Sequence, residues 1–324
     1  MTTLADPIPE AEARGLGQPQ RPTGPAEFPT PHATVSPAAR RHVQPVALTI
    51  ITPRRGWNPV NWAELWDARE LLFFLAWRDI KVRYKQTLLG FAWAVLGPLA
   101  QAIIFTFIFA RVAALPSDGL PPAVFYMSGL VIWGYFATSL AMCANSLVGN
   151  QPLLTKIYLP RLILPLSTVV TGLVDLVMAF GVLLAMMLYY QIAPAATALL
   201  LPLLVLMAMG AALGTGLIFA ALNVKYRDVR SIAPFLVQLL MYCTLIVPFS
   251  QMPERFGLWR YLYGLNPMAG VVEGFRWCLA HHLMDSAAGP PWALLAVGTP
   301  VTLLLVVCGL AYFRRVESQF ADIV

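Results

Sequence analysis

The chain has 324 residues, of which 58% are hydrophobic and only 12% are charged, and its formal net charge is +6. Soluble domains contain about 45–50% apolar and about 25% charged residues, so charges this sparse cannot cover a water-facing surface of this size. The composition excludes a soluble protein and, with the long apolar runs described below, predicts an all-α integral membrane protein.

Residues 1–60 differ from the rest of the chain. They hold eleven prolines, few aromatic residues and no apolar stretch as long as a signal peptide. Such a composition cannot bury enough apolar surface to fold, and it predicts a mostly disordered cytoplasmic tail.

Residues 62–86 are predicted to form an amphipathic helix that lies along the membrane surface. The apolar members of its stripe recur at steps of three and four: Trp62, Trp66, Phe73, Trp77, Ile80 and Tyr84. A simple interfacial anchor and a guide for a lipid-borne substrate are both consistent with this pattern.

Six apolar runs are long enough to cross about 30 Å of hydrocarbon, which takes about 20 residues. These predicted spans are 88–110, 123–148, 162–190, 196–222, 232–249 and 292–313. The third contains a formal charge, Asp175, for which a hydrogen bond to a neighbouring helix is the simplest interpretation. A proton-coupled role is the alternative.

The distribution of cations predicts that both termini are cytoplasmic. With that orientation, twelve cations near the span ends lie inside: Arg69, Arg78, Lys81, Arg83, Lys85, Lys156, Arg161, Lys225, Arg227, Arg230, Arg314 and Arg315. Four lie outside: Arg111, Arg255, Arg260 and Arg276. The net charge is then an orientation signal, and no nucleic-acid partner is expected.

Two cytoplasmic loops carry partner signals. The loop "GNQPLLTKIYLPRLILP", residues 149–165, predicts a short helix that needs a membrane or protein partner. Its apolar face and basic rim comprise Leu153, Leu154, Lys156, Ile157, Tyr158 and Arg161. The loop "NVKYRDVR" contains Lys225, Tyr226, Arg227 and Asp228. Orientation alone explains its cations but not Tyr226 and Asp228.

Residues 251–291 are too apolar for an ordinary loop, and a break at Gly264 and Asn266–Pro267 divides them. Non-helical backbone at membrane depth is tolerated only where protein or a water-filled cavity covers it, so two short re-entrant helices are predicted. Glu273 and Arg276 are spaced to form an ion pair on the second of these helices. The spacing of the histidines to Asp285 does not favour catalysis.

Several chemistries lack their motifs. The sequence contains no G-x-x-x-x-G-K-[ST] phosphate-binding loop, so ATP would have to bind a separate subunit. It shows no plausible pairing of a nucleophile with a base, and its four cysteines have no metal-ligand spacing. We therefore expect neither an enzyme nor a cofactor held by this chain.

Five stretches, in order along the chain, carry a family resemblance: "ELWDARELLFFLAWRDIKVRYKQTLLGFAWAVLGP", "LLTKIYLPRLILPLS", "ALNVKYRDVR", "YGLNPMAGVVEGFRW" and "YFRRVESQFADIV". Through them the chain resembles the permease subunit of type-2 ABC exporters for lipid-linked polysaccharides such as O-antigen, capsule and teichoic acid. The last stretch most resembles the O-antigen branch.

The resemblance implies a homodimer in the bacterial inner membrane that docks on two copies of an ABC ATPase, which bind ATP and Mg. It implies an interface helix at 62–86, a coupling helix at about 150–160 and extracytoplasmic gate helices at about 254–285. The substrate would be an undecaprenyl-pyrophosphate-linked glycan. Four cations stand where its pyrophosphate would arrive, namely Arg78, Lys81, Arg83 and Lys85.

Aromatic residues are candidates for the lining of a sugar pathway. They are Trp93, Phe105, Trp133, Tyr135, Phe136 and Tyr242. For each single one, helix packing or lipid contact is the favoured interpretation, because aromatic residues also form the belts at the membrane interfaces. A permease for drugs or small lipids and a membrane-embedded glycan-processing enzyme remain alternative functions.

Overall fold

The computed structural model describes residues 62–85, 92–156, 159–226, 228–246, 249, 262–284 and 289–317. Its ten α-helices in these ranges are α1 Trp62–Asp67, α2 Arg69–Lys85, α3 Ala92–Phe105, α4 Pro122–Gly149, α5 Gln151–Lys156, α6 Ile163–Tyr189, α7 Leu201–Lys225, α8 Val229–Leu245, α9 Pro267–Ala280 and α10 Trp292–Glu317. The predicted tail, residues 1–60, lies outside the described residues, as does the first predicted gate segment before residue 262.

In the part of the chain that the structure describes, five helical segments are long and apolar enough to cross a membrane: Val95–Val112, Pro122–Gly149, Ile163–Tyr189, Ala196–Lys225 and Trp292–Glu317. The first includes a π-helical extension of α3, and the fourth includes a 3₁₀ turn before α7. They coincide with five of the six predicted spans, so the chain is an all-α, multi-pass membrane protein.

The sixth predicted span, 232–249, coincides with the shorter helix α8. This helix is apolar but has 17 residues, whereas a perpendicular span takes about 20. Pro234 lies within its first two turns, and residues 247 and 248 at its other end lie outside the described part of the chain. The six-span count therefore stays a prediction.

Helix α4 lies at the centre of the described bundle. In its apolar stretch 72% of the residues are buried, against 11% in the first span. Pro122 occupies its first turn, where the missing proline N–H leaves no hydrogen bond unmade. Most side chains of the main apolar cluster come from α4 and the helices around it, α6, α7 and α9.

Helices α7 and α10 contact each other through glycine. A Cβ atom built on Gly309 would lie 2.4 Å from the carbonyl oxygen of Gly214, and one built on Gly214 would lie 2.6 Å from the carbonyl carbon of Leu305. The two backbones are therefore in direct contact. Small residues make such close packing possible where, in lipid, the hydrophobic effect does not drive helices together.

The predicted interface helix over 62–86 is divided into α1 and α2 at Ala68. Phe73, Trp77 and, on α1, Trp66 are exposed, as expected for an aromatic face turned toward the acyl boundary. Tyr84, however, turns toward α6. The predicted stripe is therefore not one face, because the break at Ala68 and the packing of α2 on the bundle separate its members.

Helix α2 runs alongside α6. Leu75 and Ala76 are buried, and the Thr171 hydroxyl lies 3.4 Å from the Ala76 carbonyl oxygen. The carboxyl-terminal end of α2 contacts Asp175, twelve residues beyond the first residue of α6, or about 18 Å along that helix at about 1.5 Å per residue. The end of α2 thus lies beside the middle of a predicted span.

Candidate functional site

An open cleft of about 410 Å³ lies where α2, α3, α4 and α6 meet. Its walls are mostly apolar and include Trp93, Pro98, Leu130, Val131, Leu176 and Ala179. Arg83, Tyr84 and Asp175 form its polar end. The cleft is thus amphipathic, with a charged end and a long apolar side.

Arg83 and Asp175 form an ion pair at this polar end, between Arg83 Nη1 and Asp175 Oδ2. The side chains are 31% and 22% exposed, so both can be reached from the cleft. Arg83 Nη2 lies 2.9 Å from the sulfur of Met142 on α4. Asp175 is therefore bonded to a neighbouring helix, as the simplest interpretation of the sequence had it.

Tyr84 supplies the second partner of Asp175, because its hydroxyl donates to Asp175 Oδ1. Burial and this hydrogen bond raise the pKa of Tyr84 to about 12, since both favour the neutral phenol. The hydroxyl therefore remains a donor at physiological pH. The carboxylate has one partner on each oxygen, both from the last turn of α2.

Arg78 joins the junction of α4 and α5. Its guanidinium lies 2.8 Å from Asp79 Oδ1 and 2.8 Å from Asn150 Oδ1. The backbone carbonyl of Asn150 accepts the first hydrogen bonds of α5, from the amides of Leu153 and Leu154. Sequence reasoning missed Asn150, which is 72 residues away from Arg78.

The four predicted phosphate-binding cations therefore fall into two classes. Lys81 and Lys85 are exposed, and Lys81 Nζ lies 5.4 Å from the centroid of the Trp77 ring. Arg78 and Arg83 have carboxylate partners within the chain. Arg78 and Arg83 would therefore have to release or share these carboxylates before they could bind phosphate.

The predicted coupling segment contains the short helix α5. Leu153 and Leu154 are half-buried and pack against an apolar cluster that includes Leu147, Leu217 and Phe313, so the chain partly covers its own apolar face. Arg161 donates through Nη1 to the backbone carbonyl of Glu317 at the end of α10. The side chain of Lys156, and Ile157 and Tyr158, lie outside the described residues.

The second loop follows α7 directly. Lys225 Nζ lies 5.3 Å from the centroid of the Tyr226 ring, and both side chains are exposed. Asp228 occupies the position before α8 and makes no side-chain capping bond. Arg227 lies outside the described residues, and the role of the loop stays a prediction.

The predicted gate segment begins its second helix where the sequence indicated. The Asn266 side chain accepts a hydrogen bond of 3.1 Å from the amide of Met268, and Pro267 opens α9. Such an N-cap satisfies one of the backbone donors left free at a helix start. The re-entrant arrangement itself stays a prediction.

The predicted pair of Glu273 and Arg276 is confirmed. Arg276 Nη1 lies 3.3 Å from Glu273 Oε1, and the two side chains are 0% and 9% exposed. Arg276 also donates to the Leu245 carbonyl at 3.3 Å, and its guanidinium lies 3.8 Å from the centre of the Phe125 ring. This buried charge joins α9 to α4 and to the end of α8.

The six candidate pathway aromatics have different surroundings. Trp133, Tyr135 and Phe136 are 5% exposed or less, and the Tyr135 hydroxyl donates to the Val169 carbonyl at 3.2 Å. All three pack inside the chain, and Tyr135 also lines the cleft, so their place in a sugar pathway stays a prediction. Sequence position could not separate them from lining residues, because packing and lining use the same aromatic side chains.

The other three aromatics lie on α3 and α8. Trp93 and Tyr242 are 62% and 44% exposed. The rings of Phe105 and Tyr242 are parallel to within 6°, with centroids 6.4 Å apart. These residues keep the predicted role open to test.

Comparison with known proteins places these features in a family. Residues 70–280 match the model of the family described as ABC-2 type transporter. The chain is 31% identical over 261 residues to the O-antigen export system permease protein RfbA of Myxococcus xanthus, covering 80% of this chain and 97% of that protein.

Two further relatives are similar over nearly the same region. The O-antigen export system permease protein RfbA of Klebsiella pneumoniae is 28% identical over 256 residues, which is 78% of this chain and 95% of that protein. The polysialic acid transport protein KpsM of Escherichia coli is 26% identical over 251 residues, or 74% and 91%.

Proposed function

Since this chain belongs to the ABC-2 type transporter family, we propose that it moves an undecaprenyl-linked, O-antigen-like polysaccharide across the bacterial inner membrane, from the cytoplasmic to the periplasmic side. At the coarser level the chain is a permease of a polysaccharide ABC exporter and not an enzyme. Similarity to O-antigen export permeases along almost their whole length carries the proposal.

The proposed assembly is a homodimer of this chain with two copies of a cytoplasmic ABC ATPase. The ATPase binds ATP and Mg, and it docks on the segment 150–160. Both termini are cytoplasmic, in keeping with the excess of cations in the predicted cytoplasmic segments. Helices α3 and α8 expose large apolar side chains, among them Ile103 and Phe235, which suit a second copy or lipid.

The proposed pathway runs along α3 and α8. Aromatic rings offer flat apolar faces to the apolar faces of sugars, so a polymer can slide without breaking directional bonds. Trp93 and Tyr242 supply such rings on exposed surfaces. Export is driven by closure of the ATPase subunits on ATP.

Gene deletion with and without the co-expressed ATPase tests the proposed function. We expect surface glycan to fall and lipid-linked glycan to accumulate in the cytoplasm, and we expect the permease and the ATPase together to restore export. Unchanged surface glycan without accumulation of the precursor would refute the proposal. It would favour a permease for drugs or small lipids.

Charge reversal at Lys156 tests the docking role of the coupling segment. Lys156→Glu is a sharper probe than reversal at Arg161, because Arg161 also binds the end of α10. Arg315→Glu, at an exposed cation on α10 outside both loops, is the matched control. We expect Lys156→Glu to reduce co-purification of the ATPase and Arg315→Glu to leave it unchanged; equal retention by both variants would count against the docking role.

A further inference from the structure

The Arg83–Asp175 pair lies in a cleft that suits an amphipathic anion. The apolar wall formed by Trp93, Leu130 and Leu176 can cover a hydrocarbon chain, while the charge lies at one end. Arg83 is the cation of that end, and its partner is the carboxylate of Asp175 on another helix. A ligand headgroup that reached this end would compete with that carboxylate.

Phosphate is the headgroup chemistry that the polar end favours. A guanidinium binds phosphate through two parallel hydrogen bonds, and the lysines of the same segment add positive charge without such geometry. Lys81 and Lys85 are exposed on either side of Arg83 in sequence. A phosphate ester carries up to two negative charges, whereas the carboxylate carries one.

We propose that the cleft is a binding site for a phosphate-bearing lipid, and that the headgroup displaces Asp175 from Arg83. Asp175 then keeps the hydrogen bond that the Tyr84 hydroxyl donates, so the released carboxylate still has a donor. The ion pair is thus an internal competitor that holds the site closed until such a lipid arrives. The inference rests on the proposed function in taking the ligand to be a phosphate-bearing lipid.

The exposure of the pair makes this exchange feasible. Both side chains line the cleft and are 31% and 22% exposed, so a headgroup in the cleft can reach the guanidinium without unpacking the helices. A lipid that binds only when the ion pair is open has a reduced apparent affinity, because the pair is closed in most molecules. Removing the competing charge should therefore tighten binding, while removing the cation should weaken it.

Opposite effects of Asp175→Asn and Arg83→Gln on lipid binding test the proposal. Purified permease in detergent is titrated with undecaprenyl phosphate, phosphatidylglycerol and inorganic pyrophosphate. We expect Asp175→Asn to lower the Kd of the lipids about fivefold, the factor that corresponds to a weak ion pair, and Arg83→Gln to raise it by about as much. Pyrophosphate, which lacks the chain, should bind much more weakly than either lipid.

Two further variants separate competition from damage to the fold. In the Arg83→Gln background the gain from Asp175→Asn must vanish, because no cation is left to release. Glu317→Gln breaks the Arg314–Glu317 pair, whose exposures of 31% and 21% match those of the cleft pair, and it should leave lipid binding unchanged. The thermal stability of each variant is measured in parallel.

Each outcome bears on the proposal. If Asp175→Asn weakens lipid binding, or if its gain persists without Arg83, the displacement is refuted. If phosphatidylglycerol binds as tightly as undecaprenyl phosphate and shows the same opposite effects, the displacement stands and the ligand is bulk phospholipid. Failure of glycan export in cells would overturn the proposed function without altering these binding results.

Discussion

Replacing Gly309 with alanine is expected to weaken the pairing of α7 and α10. The added Cβ atom would lie 2.4 Å from the Gly214 oxygen and 3.2 Å from its carbonyl carbon. Heavy atoms in contact prefer about 3.5–4.0 Å, so α10 would have to retreat by roughly 1 Å. The obstacle is backbone, which no change of rotamer can relieve.

Gly181→Ala is the matched control for this prediction. Gly181 also lies within a helix, α6, but a Cβ atom there would meet nothing within 4 Å. Both variants gain about 1 kcal/mol of helix propensity, and Gly309→Ala alone meets an overpacking cost of about 1–3 kcal/mol. The difference between the two variants therefore reports the cost of overpacking directly.

Thermal unfolding in detergent, followed by tryptophan fluorescence at one fixed scan rate, measures this difference. A fixed rate is needed because irreversible unfolding makes an apparent Tm depend on the rate. We expect Gly309→Ala to unfold at a lower temperature than the wild type and Gly181→Ala at the same temperature or higher. A Gly309→Ala protein as stable as Gly181→Ala would refute direct backbone contact between α7 and α10.

Three other predictions concern the ion pairs and the pathway. Glu273→Gln should destabilise the fold by about 3–5 kcal/mol because it leaves the buried Arg276 charge uncompensated; a wild-type unfolding temperature would contradict this. Tyr84→Phe should cost about 1–2 kcal/mol through the lost hydrogen bond to Asp175. The pKa of Tyr84 is raised to about 12 in the folded chain, whereas the unfolded phenol begins to ionise at a pH of about 10. The stability difference between wild type and Tyr84→Phe should therefore be constant below pH of about 10 and should shrink as the pH rises through about 12. A difference that stays constant over that range would contradict the hydrogen bond to Asp175. During export a water-soluble maleimide should label Cys243, beside Tyr242, more than Cys308, although both are exposed on the chain; equal labelling would argue against a pathway along α8.

Five of the spans and the buried pair of α9 could be predicted from the sequence because they depend on local spacing. A run of about 20 apolar residues indicates a span wherever it occurs. Glu273 and Arg276 are one helical turn apart, so they meet whenever that segment is helical. Neither inference needs knowledge of which helices are neighbours.

Side-chain contacts between residues that are distant in sequence could not be predicted. A lone carboxylate in a span requires a partner, yet nothing in the order of residues shows that Arg83, 92 positions earlier, supplies it. For the same reason the sequence could not decide whether Trp133 packs inside the bundle or lines a pathway, because an aromatic residue in a span is typical of both. Only the neighbours of each side chain, fixed by how the helices assemble, distinguish these cases.

The hydrogen bond between Arg78 and Asn150 has a mechanical consequence. Asn150 anchors the first turn of α5, and Arg78 lies five residues before Arg83 on the same rigid helix. At about 1.5 Å per residue, roughly 8 Å of helix separates the contact to α5 from the polar end of the cleft. A displacement of α5 would be transmitted to α2 through this hydrogen bond. It would shift the charged end of the cleft together with the last turn of α4, to which Asn150 also bonds.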